Sequence, residues 1–212
     1  MPARRGWRTL GRVIALVLLV VTAASCRSSD GEPGTPSRFT RADLDAIVLR
    51  PTDAPVATAY VDAVSGFKTL RSFARDDEEL GHLKEDGFRV GHLVLFLPAD
   101  HVNATGPTAP LTNDSVIVQG ITGLFHDADG ADRSLVRYVQ DLRTRQIPDA
   151  SAVAADGLGD RSFGLRGITP DGSRVLVFAW RVDNVILVLS GSGPLPAAEV
   201  RALADLMNAR AS

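Results

Sequence analysis

The chain has 212 residues, 23 of them basic and 25 acidic, with 45% hydrophobic residues and a single cysteine. Four of the basic residues and none of the acidic ones precede that cysteine, so the remainder carries 19 positive against 25 negative charges, a balance of −6. That sign argues against nucleic acid as a partner unless charge is strongly segregated, and a lone cysteine rules out an intramolecular disulfide framework.

Arg4, Arg5, Arg8 and Arg12 lead into an apolar run over residues 13–24, and Ala23, Ala24 and Ser25 precede Cys26. A basic start, a short apolar core and small residues before a cleavage point mark a secretory signal, and the run falls short of the roughly 20 residues that span a bilayer. The segment resembles the signal of bacterial lipoproteins, which ends in an aliphatic residue, two small residues and an acceptor cysteine. Ala24 and Ser25 fit that pattern, while Ala23 stands where Leu, Val or Ile is usual. The resemblance implies cleavage between Ser25 and Cys26, a diacylglyceryl group on the Cys26 sulfur, and acylation of the new amine by a chain such as palmitate. Burying acyl chains gives about 0.8 kcal/mol per methylene, so two or three of them anchor a domain stably where one binds reversibly. The alternatives are an uncleaved signal anchor and an ordinary secreted protein in which Cys26 is incidental. The expected organisation is a signal peptide over 1–25, a tether over 26–39 carrying lipidated Cys26, and one α+β extracytoplasmic domain over 40–212, anchored on the outer side of the cell membrane.

Residues 27–37 are Ser-, Pro- and Gly-rich and offer almost nothing to bury, the composition of a flexible tether. Thr40 with Asp43 three residues on reads as a helix start, and Leu44, Ile47 and Val48 follow at helical spacing. Residues 67–73 are compatible with a strand, 76–84 with a charged helix, and 88–97 with a strand opened by Asp86 and Gly87. A loop over 98–114 contains Pro98, Gly106, Pro107 and Pro110, and loops this long in compact domains are often functional. A strand through Val116, Ile121 and Phe125 precedes a helix whose Leu135, Tyr138, Val139 and Leu142 form one apolar stripe. The final third predicts a three-stranded meander over 161–168, 173–182 and 185–190, with turns at Pro170, Asp171, Gly172 and at Asp183, Asn184. A last helix starts at Pro196, read as its first-turn proline, with Val200, Leu203, Leu206 and Met207 on one side.

The predicted fold is therefore an antiparallel sheet with helices packed on it. A pseudo-repeat is visible in it: Asp86, Gly87, Phe88, Arg89, Val90 parallels Asp171, Gly172, Ser173, Arg174, Val175, and Asp114 to Ile117 parallels Asp183 to Ile186. Each pair of strands is followed by a helix, which predicts a tandem βββα arrangement, against the alternative of convergent turn residues. Strands around Val175 and Leu189 are apolar on both faces, so both faces are expected to be covered.

His126, Asp127, Asp129 and Asp132 form the densest group of oxygen and nitrogen ligands, but aspartates at a helix start cap backbone N–H groups, and that reading is preferred to a metal. His82, His92 and His101 lie on different elements with no zinc-binding spacing, so no metal site and no cofactor is assigned. Gly157 and Gly159 read as a turn rather than a phosphate cradle, and Ser190 to Gly193 as a connection rather than a nucleophile elbow. No catalytic residue is assigned.

The order of small helices on an antiparallel sheet behind such a signal, with Gly157, Leu158, Gly159, Asp160 opening the terminal meander, is similar to that of actinobacterial lipoproteins with PsbP-like or kinase-sensor-like domains. The resemblance implies sensing, binding or envelope-associated roles. The expectation is a membrane-anchored, non-enzymatic binding or sensor domain that engages an envelope protein or an apolar small molecule through the 98–114 loop and the sheet beneath it. The alternative is an envelope hydrolase in which His126 and Asp129 act as an acid/base pair, which would need a concave site bringing them together.

Overall fold

The computed structural model describes residues 38–103, 106–107 and 111–212. In chain order the elements are α1 (Arg41–Ile47), a 3-10 turn (Pro51–Asp53), β1 (Thr58–Tyr60), β2 (Gly66–Lys68), α2 (Leu70–Phe73), α3 (Asp77–Glu85) and β3 (Phe88–Pro98). A second 3-10 turn (Ala99–His101) precedes β4 (Val102–Asn103) and β5 (Gly106–Pro107), a two-residue ladder inside the long loop. Then come β6 (Ile117–Phe125), α4 (Ala128–Asp141) with a single π turn (Leu142–Gln146), β7 (Ser151–Val153), β8 (Arg161–Ile168), β9 (Arg174–Val182), β10 (Val185–Ser192) and α5 (Ala197–Arg210). Among the described residues no helix is long and apolar enough to cross a membrane.

Eight strands form one antiparallel sheet in the order β1, β3, β6, β10, β9, β8, β7, with β2 also paired to β3. β1 and β2 run along the same edge of β3, opposite residues 96–98 and 91–93, and the chain between them bulges away. The sheet divides the core. On one face, Leu176, Phe178, Trp180 and Val182 of β9 and Val185, Leu187 and Leu189 of β10 meet Leu44 and Ile47 of α1 and Val200, Ala204 and Met207 of α5. On the other, Val177, Ala179, Ile186 and Val188 meet Leu135 and Val139 of α4 and Leu142 and Ile147 beyond it. The consecutive apolar residues of β9 and β10 are thus explained by cover on both sides, each large buried side chain contributing roughly 1.5–3 kcal/mol.

This is the expected α+β architecture, and its strand order is symmetric about the β6–β10 pair. β3 and β9 flank that pair, with Val90 opposite Leu124 and Val175 opposite Ser192. The helices break the equivalence, because α4 and α5 lie on opposite faces. A two-fold axis between antiparallel neighbours would put both on one face, so the tandem arrangement holds for the strands and not for the helices.

Three local differences from the sequence expectations have physical causes. The predicted strand over 67–73 stops at Lys68, because Thr69 accepts the Ser72 N–H (3.4 Å) and caps a helical turn. Pro196 is the N-cap of α5 rather than its first-turn residue. In the Asp183–Asn184 turn the left-handed conformation falls on Asp183 (φ 50°), which frees the Asn184 side chain for another task. Buried Asn184 accepts the Phe39 N–H (3.1 Å) and donates to the carbonyls of Phe39 (3.2 Å) and Phe125 (3.0 Å), fastening the start of the domain to its central strands.

Candidate binding groove at the start of the domain

Just after that fastening point, α1 begins, and a groove of about 510 Å3 opens between its first turn, the end of β2, α2 and the start of β3. Its lining includes Arg41, Phe67, Lys68, Leu70, Arg89 and Val90, with the buried Leu124 behind. None of the lining residues is acidic.

Each cation is placed by a local feature. Thr40 and Asp43 close a capping box, the Asp43 carboxylate accepting both the Thr40 N–H and its hydroxyl (2.7 Å each), so α1 starts at Arg41. The Arg41 guanidinium then lies over the Phe67 ring, 4.6 Å from its centroid. Lys68 is half-buried and donates to the Val64 carbonyl (2.7 Å), and burial holds its ammonium below the usual lysine range. Arg89 sits where the β3–β6 register shifts between Phe88 and Val90, and such a bulge re-aims a strand residue, here an exposed arginine beside the groove.

Under Phe67 lies His92, 5.0 Å from it in an edge-to-face pair and 93% buried. Its Nε2 is 3.7 Å from an oxygen of the exposed Asp45, and its Nδ1 has no hydrogen-bond partner. Burial pushes its pKa below the ordinary histidine value, against the opposing pull of Asp45 and with the help of Lys68. Across the strand pair stands Thr122, fully buried, its hydroxyl also without a partner.

The other sequence-derived candidates are dispersed. Ser25 and Cys26 lie outside the described residues. Asp127 is the N-cap of α4, accepting the Gly130 N–H (2.7 Å), and that bond holds its carboxyl below the usual range. Asp132 contacts Arg161 (2.6 Å) and Arg181 (3.6 Å) beside a shallow, charged hollow of about 440 Å3 that Asp129, Arg133 and Arg181 also line. His126 and Asp129 are both exposed, and among the described residues no hydrogen bond joins them; His126 faces Asp127 instead (3.4 Å). The geometry therefore does not assemble the acid/base pair. Among the described residues no group of three or more His, Cys, Asp or Glu is placed to hold a metal ion. Gly157 and Gly159 form a turn pinned to α5, with Asn208 bonded to the Gly159 N–H (2.9 Å) and the Gly157 carbonyl (3.1 Å). Of the loop over 98–114, residues 104–105 and 108–110 lie outside the described residues; Leu95, Ile117 and Gln119 at that end of the sheet are half-buried.

Sequence reasoning did not find the groove. Its signal was the juxtaposition of Phe67 and Lys68 in a short edge segment, readable only once β2 is paired with β3.

The chain is similar in structure to the extracellular domain of PknH from Mycobacterium tuberculosis, with a TM-score of 0.51, over 84% of this chain and 98% of that one. The sequence identity is 9%, so the likeness is one of fold. No protein-family model and no curated protein matches the chain.

Proposed function

We propose that this chain is an extracytoplasmic lipoprotein: residues 1–25 are a signal peptide, Cys26 carries the diacylglyceryl anchor, residues 26–39 are the tether, and residues 40–212 form a non-enzymatic binding or sensor domain. The likeness to an extracellular domain supports the placement by fold alone. The groove carries the binding reading. Arg41 and Arg89 present planar guanidinium forks whose paired N–H donors hold and orient an anion. Phe67, Leu70 and Val90 add an apolar wall. Cations beside apolar surface suit a molecule that is anionic at one end and apolar at the other, from an envelope partner or a small ligand.

Mass spectrometry of the protein extracted from its own membrane tests both parts. The expected spectrum shows a mature N-terminus at acylated Cys26 and, under native conditions, a retained amphipathic anion. An unmodified Cys26 in an intact N-terminus refutes the lipoprotein; loss of the retained species in the absence of any competing detergent refutes the binding role.

A further inference from the structure

We infer that the groove docks on the anionic headgroups of the membrane itself, Arg41, Lys68 and Arg89 engaging lipid phosphates while Phe67, Leu70 and Val90 meet the glycerol and upper acyl carbons. The inference deepens the binding role proposed above, and it borrows from the lipoprotein reading only the nearness of a bilayer.

Charge segregation is the first support. Arg75, Arg133, Arg137, Arg145, Arg161, Arg181, Arg201 and Arg210 each have a carboxylate within 4 Å. Ten cations among the described residues have none, and three of them, Arg41, Lys68 and Arg89, line this one groove, although the chain after the signal is acidic overall. The nearby acids keep their charge, Asp43 bonded to Thr40 and Asp45 3.7 Å from His92, but neither lies within 4 Å of the three cations. Three uncompensated cations gathered at one edge of an acidic domain make a local positive field, which an anionic leaflet attracts.

Position is the second. Eleven residues lie between Cys26 and Arg38, and the twelve chain steps span at most about 43 Å. The groove lies where the chain enters the domain, lined by Thr40 and Arg41, so it is the part of the domain that such an anchor holds nearest the bilayer. Tethering makes the docking intramolecular, so a weak intrinsic affinity suffices. The chemistry agrees. Guanidinium groups pair bidentately with phosphate oxygens, and an arriving anion relieves the desolvation of the half-buried Lys68.

Residues 27–212 contain every apolar side chain of both cores and lack Cys26, so they test the groove without the anchor. The assay is flotation with vesicles of phosphatidylcholine alone or mixed with phosphatidylglycerol, at low and high salt. The expected result is binding to the mixed vesicles only, weakened by salt, with partitioning falling about fivefold for each of Arg41→Gln, Lys68→Gln and Arg89→Gln. A control with Arg143→Gln, Arg166→Gln and Arg174→Gln removes three exposed arginines outside the groove and is expected to bind like the parent. Thermal unfolding confirms that the three groove variants and the triple control fold. Equal binding to neutral vesicles, an equal loss in the control, or an unaffected groove variant overturns the inference. So does binding of soluble short-chain phosphatidylglycerol without vesicle binding, which would leave the groove a ligand site and remove the membrane from it.

Discussion

Asp86 offers the sharpest test of how the end of α3 is joined to α4. It caps the C-terminus of α3, and its side chain is 2% exposed. Arg133 of α4 donates to it from Nε at 2.9 Å, and Arg137 reaches its second oxygen. The burial is unequal, since the arginine side chains are 52% and 36% exposed. Removing both arginines strands a carboxylate in the core, and breaking a buried pair that way costs about 3–5 kcal/mol. Asp86→Asn instead leaves two arginines that water can solvate and an amide that still accepts a hydrogen bond, so it costs about 1–2 kcal/mol. In the Arg133→Ala, Arg137→Ala background the sign reverses: Asp86→Asn then removes an unpaired buried charge and stabilises. Urea unfolding at neutral pH of the parent, the single, the double and the triple variant measures all four corners. If Asp86→Asn destabilises equally in both backgrounds, the carboxylate is not held as a buried charge and the argument fails.

Two further outcomes follow from buried polar groups. Asn184→Ala removes three hydrogen bonds at a fully buried site and leaves the Phe39 N–H unsatisfied, so a loss of about 3 kcal/mol is expected, with the Phe39 amide losing its hydrogen-exchange protection. Unchanged protection there would show that α1 is fastened by other means. His92 sets a pH window. Its folded pKa is lowered chiefly by burial, so below about 6.5 the unfolded chain takes up a proton that the folded one refuses, and stability falls as pH drops from there towards the folded pKa. His92→Leu should flatten that slope in denaturant midpoints measured between neutral and mildly acidic pH. The slope near pH 4 should remain, because Asp53, held low by Arg210 despite its burial, and Asp127, held low by the Gly130 N–H, lose their contributions only as pH falls through the ordinary carboxylate range.

Elements with a strong local pattern were legible in the sequence. The apolar stripe of Leu135, Val139 and Leu142 does face the sheet, and the doubly apolar β9 and β10 are covered on both sides. What escaped was short or depended on distant partners. β1, β2 and β7 have three residues each and owe their extended form to the neighbours they pair with, β3 and β8. Asn184 was legible as a turn residue, yet its bonds to Phe39 run across 145 positions of sequence. No local propensity encodes a contact of that span.

The groove was hidden for the same reason, compounded by averaging. Arg41, Lys68 and Arg89 belong to three different elements and share no motif, while the sum of charges pointed towards acidity. Half of the arginines among the described residues neutralise particular carboxylates, and those pairs cancel in the field seen from outside. What a partner senses is the residue left over after cancellation. In this fold that remainder at the β2 edge is positive, next to apolar side chains and at the point where the chain arrives from its proposed anchor. A net charge therefore bounds what the whole domain does in solution, whereas the unpaired charges, which only the tertiary structure identifies, decide which way it turns at a surface.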